Sequence, residues 1–241
     1  MRHAGSSAIF WKHRRSGLAS AVNVTFYTGA APGAVRMNEP LRNLLYHLQH
    51  NGIGDPRVLG AIARVPREAF ISGHSQAYAD EALPIECGQT ISQPYIVAYM
   101  SERLNVAPDQ TVLEIGTGSG YQAAILSKLA RRVYTIERHR ELHDLAASRF
   151  ERLGLNNITA ACGDGIRGWP GNRLFDRILV TAGAHEIPAA LLDQLALCGA
   201  MVIPLGPRHN QRITLVTRNR TGLHTQTLIP VQFVPLVPSD H

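Results

Sequence analysis

The strongest constraint on the fold is a short apolar segment that runs directly into a cluster of glycines. Residues 111–120 read Thr-Val-Leu-Glu-Ile-Gly-Thr-Gly-Ser-Gly, and a helix-favouring segment follows at once. The apolar run is typical of a buried strand. Gly116, Gly118 and Gly120 permit a sharp turn and a close approach of the main chain to a ligand, and the next helix offers free N–H groups at its start. The sequence therefore predicts a nucleotide-type cofactor cradle at residues 116–120, which we call the glycine loop.

Residues around the glycine loop indicate which cofactor it holds. A dinucleotide site would read G-x-G-x-x-G, whereas this chain has G-x-G-x-G with Glu114 two positions before the first glycine. We expect an acidic group there to repel a pyrophosphate and to suit a cationic ligand such as a sulfonium. Glu137 ends the next apolar segment, 21 residues after Gly116, where a carboxylate can accept hydrogen bonds from ribose hydroxyls. These features favour S-adenosylmethionine over NAD.

Strand and helix patterns alternate after the glycine loop. The predicted strands are 133–136, 158–161, 175–180 and 200–205, and the predicted helices are 121–130, 141–153 and 188–197. This alternation predicts an α/β fold with a doubly wound, mostly parallel sheet that is buried on both faces. The last part of the chain departs from that rhythm, since residues 212–217 and 223–234 predict a C-terminal pair of antiparallel strands.

The segment ahead of the glycine loop predicts helices. Leucines repeat at helical spacing from Leu41 to Leu48, and Asp55-Pro56 is typical of the start of a second helix. Residues 71–92 lack periodicity and are predicted to be a loop, and residues 93–104 return to helix. We therefore divide the chain into a helical substrate-side subdomain with an active-site loop (37–104) and an α/β cofactor domain with C-terminal strands (105–241).

Positive charge is concentrated at the N-terminus. The 241 residues carry a formal net charge of +6, but residues 1–36 hold five basic residues and no acidic one, which leaves 19 basic against 18 acidic residues elsewhere. A nearly neutral body argues against a nucleic-acid partner. We interpret residues 1–36 as a flexible basic leader, explained by translation that begins upstream of Met37. A secretion signal is the weaker interpretation, because residues 16–34 are too polar and glycine-rich.

Composition excludes several other classes of protein. No apolar run approaches the roughly 20 residues of a membrane-spanning helix. Three cysteines, none in a C-x-x-C pair, argue against both a disulfide framework and a zinc site. We expect a cytoplasmic monomer without a bound metal or membrane partner.

Three segments together resemble one enzyme family. They are 83–94 (Leu-Pro-Ile-Glu-Cys-Gly-Gln-Thr-Ile-Ser-Gln-Pro), 112–121 and 175–188. In this combination the chain is similar to protein-L-isoaspartate O-methyltransferases over roughly residues 37–237, so the leader lies outside the resemblance. The Gly-Gln-Thr-Ile-Ser-Gln-Pro part is more specific than the glycine loop, which many methyltransferases share.

The resemblance implies methyl transfer from S-adenosylmethionine to the α-carboxylate of L-isoaspartyl residues in damaged proteins and peptides. It assigns an active-site role to Ser92 and places Thr90, Ile91 and Gln93 around the substrate; we call residues 90–93 the acceptor segment. With the residues discussed above, the expected cofactor-binding set is Glu114, Gly116, Thr117, Gly118, Gly120, Glu137, Asp164 and Gly165. Asp164 is expected to approach the adenine.

Several structural alternatives accompany these assignments. Ser92 could act as the N-cap of the helix predicted over 93–104. Asp164 could cap a turn between its neighbouring glycines. Glu86 stands where the family has glycine, and its negative charge could weaken the binding of carboxylate-bearing peptides.

Two alternative functions remain at this stage. One is a methyltransferase of the same fold that acts on a different acceptor. Amino-directed nucleic-acid enzymes commonly carry an Asp/Asn-Pro-Pro-aromatic motif after the fourth strand, whereas residues 181–184 read Thr-Ala-Gly-Ala. The other is a non-catalytic module that only binds the cofactor.

Overall fold

The structure is a computed structural model, and it describes residues 37–71 and 76–238. The predicted leader at residues 1–36 lies outside the described residues. In the described ranges, no helix is both long enough and apolar enough to cross a membrane.

Within residues 37–71 and 76–238, three α-helices precede the central sheet in the chain, and three more lie between its strands. Among the described residues the α-helices are α1 (Glu39–His50), α2 (Pro56–Arg64), α3 (Pro94–Leu104), α4 (Tyr121–Ser127), α5 (Arg140–Arg152) and α6 (Ala189–Asp193). Short 3₁₀ helices cover Arg67–Phe70, Glu86–Gly88 and Gly165–Arg167.

The starts of α2 and α3 follow from their capping residues. Asp55 accepts the main-chain N–H of Arg57 at 2.8 Å, and Pro56 occupies the first turn of α2, as predicted. Pro94 likewise opens α3, and the free N–H of Tyr95 donates to Asp80 at 2.7 Å. A distant carboxylate therefore satisfies the N-terminus of α3, which stabilises the helix and fixes the loop that carries Asp80.

A mixed sheet forms the centre of the described structure. The strands are β1 (Leu83–Pro84), β2 (Thr90–Ile91), β3 (Thr111–Ile115), β4 (Arg132–Glu137), β5 (Ile158–Cys162), β6 (Phe175–Val180), β7 (Leu195–Leu205), β8 (Gln211–Asn219) and β9 (Gly222–Val231). In the described part of the chain, seven of them pair in the order β5-β4-β3-β6-β7-β8-β9, and β1 and β2 form a separate antiparallel ribbon.

Strand direction confirms the predicted fold class. The pairs from β5 through β7 are all parallel, whereas β8 is antiparallel to both β7 and β9. The chain winds outward from β3 to β5 and then crosses back to β6 on the other side of β3. The doubly wound, mostly parallel sheet and the C-terminal antiparallel pair are thus both present. The reversal of winding lies between β3 and β6, where open α/β sheets bind ligands.

Two apolar clusters cover the opposite faces of the sheet. Neighbouring residues of one strand alternate between the clusters, as Val112 and Leu113 do on β3 and Leu179 and Val180 do on β6. The larger cluster contains the buried faces of α1 to α5, and the smaller one contains Leu191 of α6. The segment predicted as a helical subdomain therefore shares its core with the cofactor domain.

The helix predicted over 188–197 is too long. The structure ends α6 at Asp193, and Leu195 to Leu197 belong to β7. Leu195 pairs with Phe175, and both side chains are fully buried. Sheet pairing and burial outweigh the helical preference of the Leu-Ala-Leu sequence at this point. The helix predicted over 121–130 also stops early, at Ser127.

We expect Gly120→Ala to cost about 2 kcal/mol more unfolding free energy than Gly171→Ala, because overpacking of a filled site typically costs 1–3 kcal/mol. Both glycines have left-handed φ values, +90° and +87°, but a Cβ on Gly120 would lie 2.7 Å from Phe150 Cε1, whereas a Cβ on Gly171 meets nothing within 4 Å. The pair therefore separates packing from backbone strain. Urea denaturation of both variants measures the difference, and equal losses would contradict the packing account.

Candidate active site

A cavity of about 360 Å³ opens at the carboxyl ends of the central strands. Its walls come from the glycine loop after β3, from Glu137 at the end of β4 and from Thr181 directly after β6. This is the point at which the winding of the sheet reverses, so adjacent strand ends diverge and leave a crevice. The position of the cavity follows from the topology.

Hydrogen bonds to its main-chain groups fix the glycine loop. The N–H of Gly116 donates to the carbonyl of Ile136 at 2.8 Å, and the hydroxyl of Thr181 donates to the carbonyl of Gly116 at 2.6 Å. Gly116 has a φ of +95°, and a Cβ there would lie 2.4 Å from Thr181 Oγ1. Glycine at this position thus permits the contact between the ends of β3 and β6.

The predicted ribose-binding carboxylate lies on the cavity wall. Glu137 accepts the main-chain N–H of Gly118 at 2.8 Å through Oε2 and that of His139 at 3.0 Å through Oε1. These bonds hold the carboxylate in one orientation and leave further lone pairs on each oxygen. Glu137 can therefore accept hydrogen bonds from a pair of ligand hydroxyls.

Glu114 lies behind the glycine loop and is not among the cavity-lining residues. It is fully buried, and the hydroxyl of Thr135 donates to its Oε2. Thr135 Oγ1 lies 2.6 Å from the hydroxyl oxygen of Thr117 in the glycine loop, whereas Glu114 Oε1 has no hydrogen-bond partner in the described structure. Burial raises the pKa of Glu114 to about 8. From the sequence we expect Glu114 to offer a negative charge to a sulfonium, but its position away from the cavity wall does not fit that role. Glu114 is instead connected to the glycine loop through Thr135 and Thr117.

Gly165 and Asp164 take different positions after β5. Gly165 lines the cavity, and a Cβ there would lie 2.4 Å from Ile115 Cγ2. The carboxylate of Asp164 accepts the N–H of Ile166 at 2.9 Å and caps the 3₁₀ helix Gly165–Arg167. Asp164 is absent from the cavity wall, so this geometry favours the capping alternative. Its approach to an adenine stays a prediction.

The acceptor segment forms another part of the cavity wall. Thr90, Ile91 and Ser92 line the cavity, whereas Gln93 does not. Gln93 turns away and donates to Asp80 at 2.9 Å. Ser92 is not the N-cap of α3, because that position belongs to Gln93. The hydroxyl of Ser92 is thus not used for helix capping.

The residues around Glu86 form a turn beside the cavity. Cys87 and Gly88 both have left-handed φ values, +56° and +65°, and Gly88 lines the cavity while Glu86 does not. Sγ of Cys87 lies 3.5 Å from Glu141 on α5. Glu86 is therefore close in sequence to the cavity wall but is not part of it.

Sequence reasoning missed the C-terminal wall of the cavity. Residues 233–237 line it, and they are held beside β6 because the N–H of Gly183 donates to the carbonyl of Val234 at 2.8 Å. Gln211 accepts the N–H of Phe233 at 2.6 Å. The sequence gives no local signal for these long-range contacts. Tyr121, Arg208 and Thr181 also line the cavity without having been predicted.

We expect Glu114→Gln to stabilise the protein increasingly as the pH rises. The folded-state pKa of about 8 lies above the unfolded value of 4.5, so the folded protein binds more protons between these values and wild-type stability falls as pH rises through this window. The glutamine variant lacks this titration, so its stability relative to wild type should rise by about 1 kcal/mol per pH unit. Urea denaturation of both proteins at pH 5.5, 7.0 and 8.5 tests this, and a constant difference would contradict it.

Comparisons with known proteins find relatives over most of the chain. A sequence model described as protein-L-isoaspartate(D-aspartate) O-methyltransferase matches residues 39–241. A protein-L-isoaspartate O-methyltransferase of Parvibaculum lavamentivorans is 55% identical over 199 residues, which cover 80% of this chain and 90% of the relative. One of Rhodospirillum centenum is 56% identical over 199 residues, with 81% and 90% covered.

A solved structure from Plasmodium falciparum shares the architecture. It carries the same enzyme name and contains S-adenosyl-L-homocysteine; it matches this chain with a TM-score of 0.74 and 28% identity over 83% of this chain and 99% of the other. From the match over residues 39–241 and the identities above 50%, the chain belongs to the protein-L-isoaspartate(D-aspartate) O-methyltransferase family.

Proposed function

We propose that this chain transfers the methyl group of S-adenosylmethionine to the free α-carboxylate of L-isoaspartyl residues in damaged proteins and peptides, which initiates their repair. The observation that carries the proposal is that Ser92 of the acceptor segment and Gly116 to Gly118 of the glycine loop line one cavity. Family membership supports both the reaction and the acceptor. A donor and an acceptor bound to these two walls would meet inside the same space.

The cofactor side offers groups that fit a nucleoside. S-Adenosylmethionine supplies an electrophilic methyl group on a sulfonium sulfur. Glu137, already oriented by two main-chain N–H groups, would accept hydrogen bonds from the ribose hydroxyls. Gly165 and Ile115 both line the cavity, in contact with each other, and a purine ring would pack against them. Gly116 and Gly118 would allow the remainder of the cofactor to approach the main chain.

The acceptor side needs orientation more than acid–base chemistry. A carboxyl group with a reference pKa of about 3.9 is ionised at neutral pH, so it attacks the methyl carbon without a general base. The remaining requirement is alignment of oxygen, carbon and sulfur, and such positioning contributes roughly 7–11 kcal/mol in well-oriented reactions. The hydroxyl of Ser92 would donate to one carboxylate oxygen and direct the other toward the methyl group.

Apolar side chains complete the proposed reaction space. Val97 and Met100 of α3 line one side, and Phe233 and Leu236 of the C-terminal segment line another. Such walls limit the number of water molecules around the attacking carboxylate, which strengthens its electrostatic interactions inside the cavity. Thr181, which follows β6, holds the glycine loop through hydrogen bonds to the carbonyls of Ile115 and Gly116.

We expect methyl esters to form on an isoaspartyl peptide and not on the aspartyl peptide of identical sequence. The β-linkage moves the main chain away from the α-carboxylate, so only the isoaspartyl form presents a free α-carboxylate at the damaged residue. Transfer of radiolabelled methyl groups, followed by release in base, measures the product. Equal labelling of both peptides would contradict the acceptor assignment. Cofactor binding in a titration without transfer to either peptide would favour a binding module.

We expect Ser92→Ala to lower turnover of the isoaspartyl peptide by about tenfold to a hundredfold, the loss expected for one hydrogen bond to a charged group. Cofactor affinity should change by less than about twofold, because Ser92 belongs to the acceptor segment and makes no hydrogen bond to the glycine loop in the described structure. Ser127→Ala is the matched control, since that hydroxyl donates to the carbonyl of Ala124 inside α4 and does not line the cavity. A large loss of cofactor affinity in the folded Ser92 variant would place this residue on the cofactor side instead.

A further inference from the structure

Arg67 is a fully buried cation that forms no direct ion pair with the described residues. It lies in the 3₁₀ helix Arg67–Phe70 with 0% of its surface exposed, and no carboxylate of the described residues lies within ion-pair distance of its guanidinium. A buried charge is costly unless hydrogen bonds or an opposite charge compensate it. Burial lowers the pKa of Arg67. A residue kept at such a cost requires a structural or functional explanation.

The guanidinium of Arg67 joins two separate segments through their carbonyl groups. Nε donates to the carbonyl of Ala77 at 2.8 Å, and Nη2 donates to the carbonyl of Ser92 at 2.9 Å. The planar group therefore bridges the turn after residue 76 and the acceptor segment. Two donors in a fixed fork set the spacing between these carbonyls, which a lysine could not reproduce.

The guanidinium of Arg67 also packs against Tyr121, next to the glycine loop. Its central carbon lies 4.9 Å from the centroid of the Tyr121 ring. Tyr121 is the first residue of α4, directly after the glycine loop, and it lines the cavity. Arg67 Nη1 and the hydroxyl of Tyr121 are both buried without a partner at hydrogen-bond geometry in the described structure. Burial lowers the pKa of Arg67, and the nearby Tyr121 and Asp80 partly oppose this shift. The Tyr121 ring provides a packed face against which the Arg67 guanidinium is positioned.

We propose that Arg67 is a positioning residue for methyl transfer: it holds the main chain of Ser92 at a fixed distance from the start of α4 and thereby sets the approach of the acceptor carboxylate to the cofactor. This inference deepens the proposed function and rests on it. Arg67 does not line the cavity, so it acts through Ser92 and Tyr121. The glycine loop has its own supports in Thr181 and Glu137. Substitution of Arg67 should therefore lower kcat/KM for the peptide acceptor more than it weakens cofactor binding.

The test compares Arg67→Lys and Arg67→Gln with Arg177→Lys. Lysine keeps the charge but offers one nitrogen, and glutamine keeps a planar donor without the charge. Arg177 is the control, because it donates to main-chain carbonyls as Arg67 does, with Nε 2.8 Å from the carbonyl of Leu104, but it is only partly buried and does not line the cavity. For each full-length variant, kcat and KM for the isoaspartyl peptide, the cofactor Kd by titration and the melting temperature are measured.

For both Arg67 variants we expect kcat/KM for the peptide to fall by about tenfold or more, the loss of a charge-assisted hydrogen bond. The cofactor Kd should stay within about twofold of wild type. Arg177→Lys should lower the melting temperature while kcat/KM for the peptide remains near wild type. An equal loss of kcat/KM for the peptide and of cofactor affinity would overturn the proposal. The same kinetic defect in the control variant would also overturn it.

A second measurement separates this inference from the proposed function. Amide hydrogen exchange across residues 90–95 should become faster in the Arg67 variants and stay unchanged in Arg177→Lys, whatever the acceptor of the enzyme is. If wild type methylates neither peptide, the proposed function fails, and the exchange result still decides whether Arg67 holds Ser92. Failure of both Arg67 variants to fold under conditions in which Arg177→Lys folds would make Arg67 a folding residue and overturn the proposal.

Discussion

The turn after β3 is the constraint on which the rest of the structure depends. The chain leaves a buried strand and must bond its main chain to both neighbouring strands within a few residues. Gly116 donates to Ile136 after a left-handed turn, and its carbonyl receives the Thr181 hydroxyl at 2.6 Å. A side chain at residue 116 would occupy the space of that hydroxyl. The ends of β3, β4 and β6 are therefore locked together around the same crevice that the reversal of winding opens.

The acceptor side is held by different means. Of the elements described, residues 90–93 contribute only the short strand β2, and their position is fixed largely by side chains of other segments. Asp80 accepts the N–H of Tyr95 and a hydrogen bond from Gln93, and Arg67 fixes the carbonyl of Ser92. Such bonds specify position without closing the segment into a rigid sheet. This arrangement suits a wall that must admit an extended peptide next to a fixed cofactor cradle.

Local and long-range determinants explain what could be predicted from the sequence. The strand over 175–180 and the helix start at Asp55-Pro56 depend on nearby residues, and the structure has both where they were expected. Leu195 carries a helical pattern, but its pairing with Phe175 depends on a strand 20 positions earlier. The cavity wall at 233–237 likewise depends on contacts with Gly183 and Gln211. Periodicity carries no information about partners so far away in the chain.

Glu114 gives the sharpest example of a correct conclusion reached from an incomplete argument. The sequence suggested that its negative charge selects a sulfonium over a pyrophosphate, but burial raises its pKa to about 8, so the protonated form predominates at neutral pH. The carboxylate that faces the cavity is Glu137, whose oxygens are oriented by Gly118 and His139. Under the proposed function, discrimination against a dinucleotide would then rest on the shape of the glycine loop and on Glu137. Because Thr135 and Thr117 connect Glu114 to that loop, its contribution is to the loop's shape, through hydrogen bonds instead of charge.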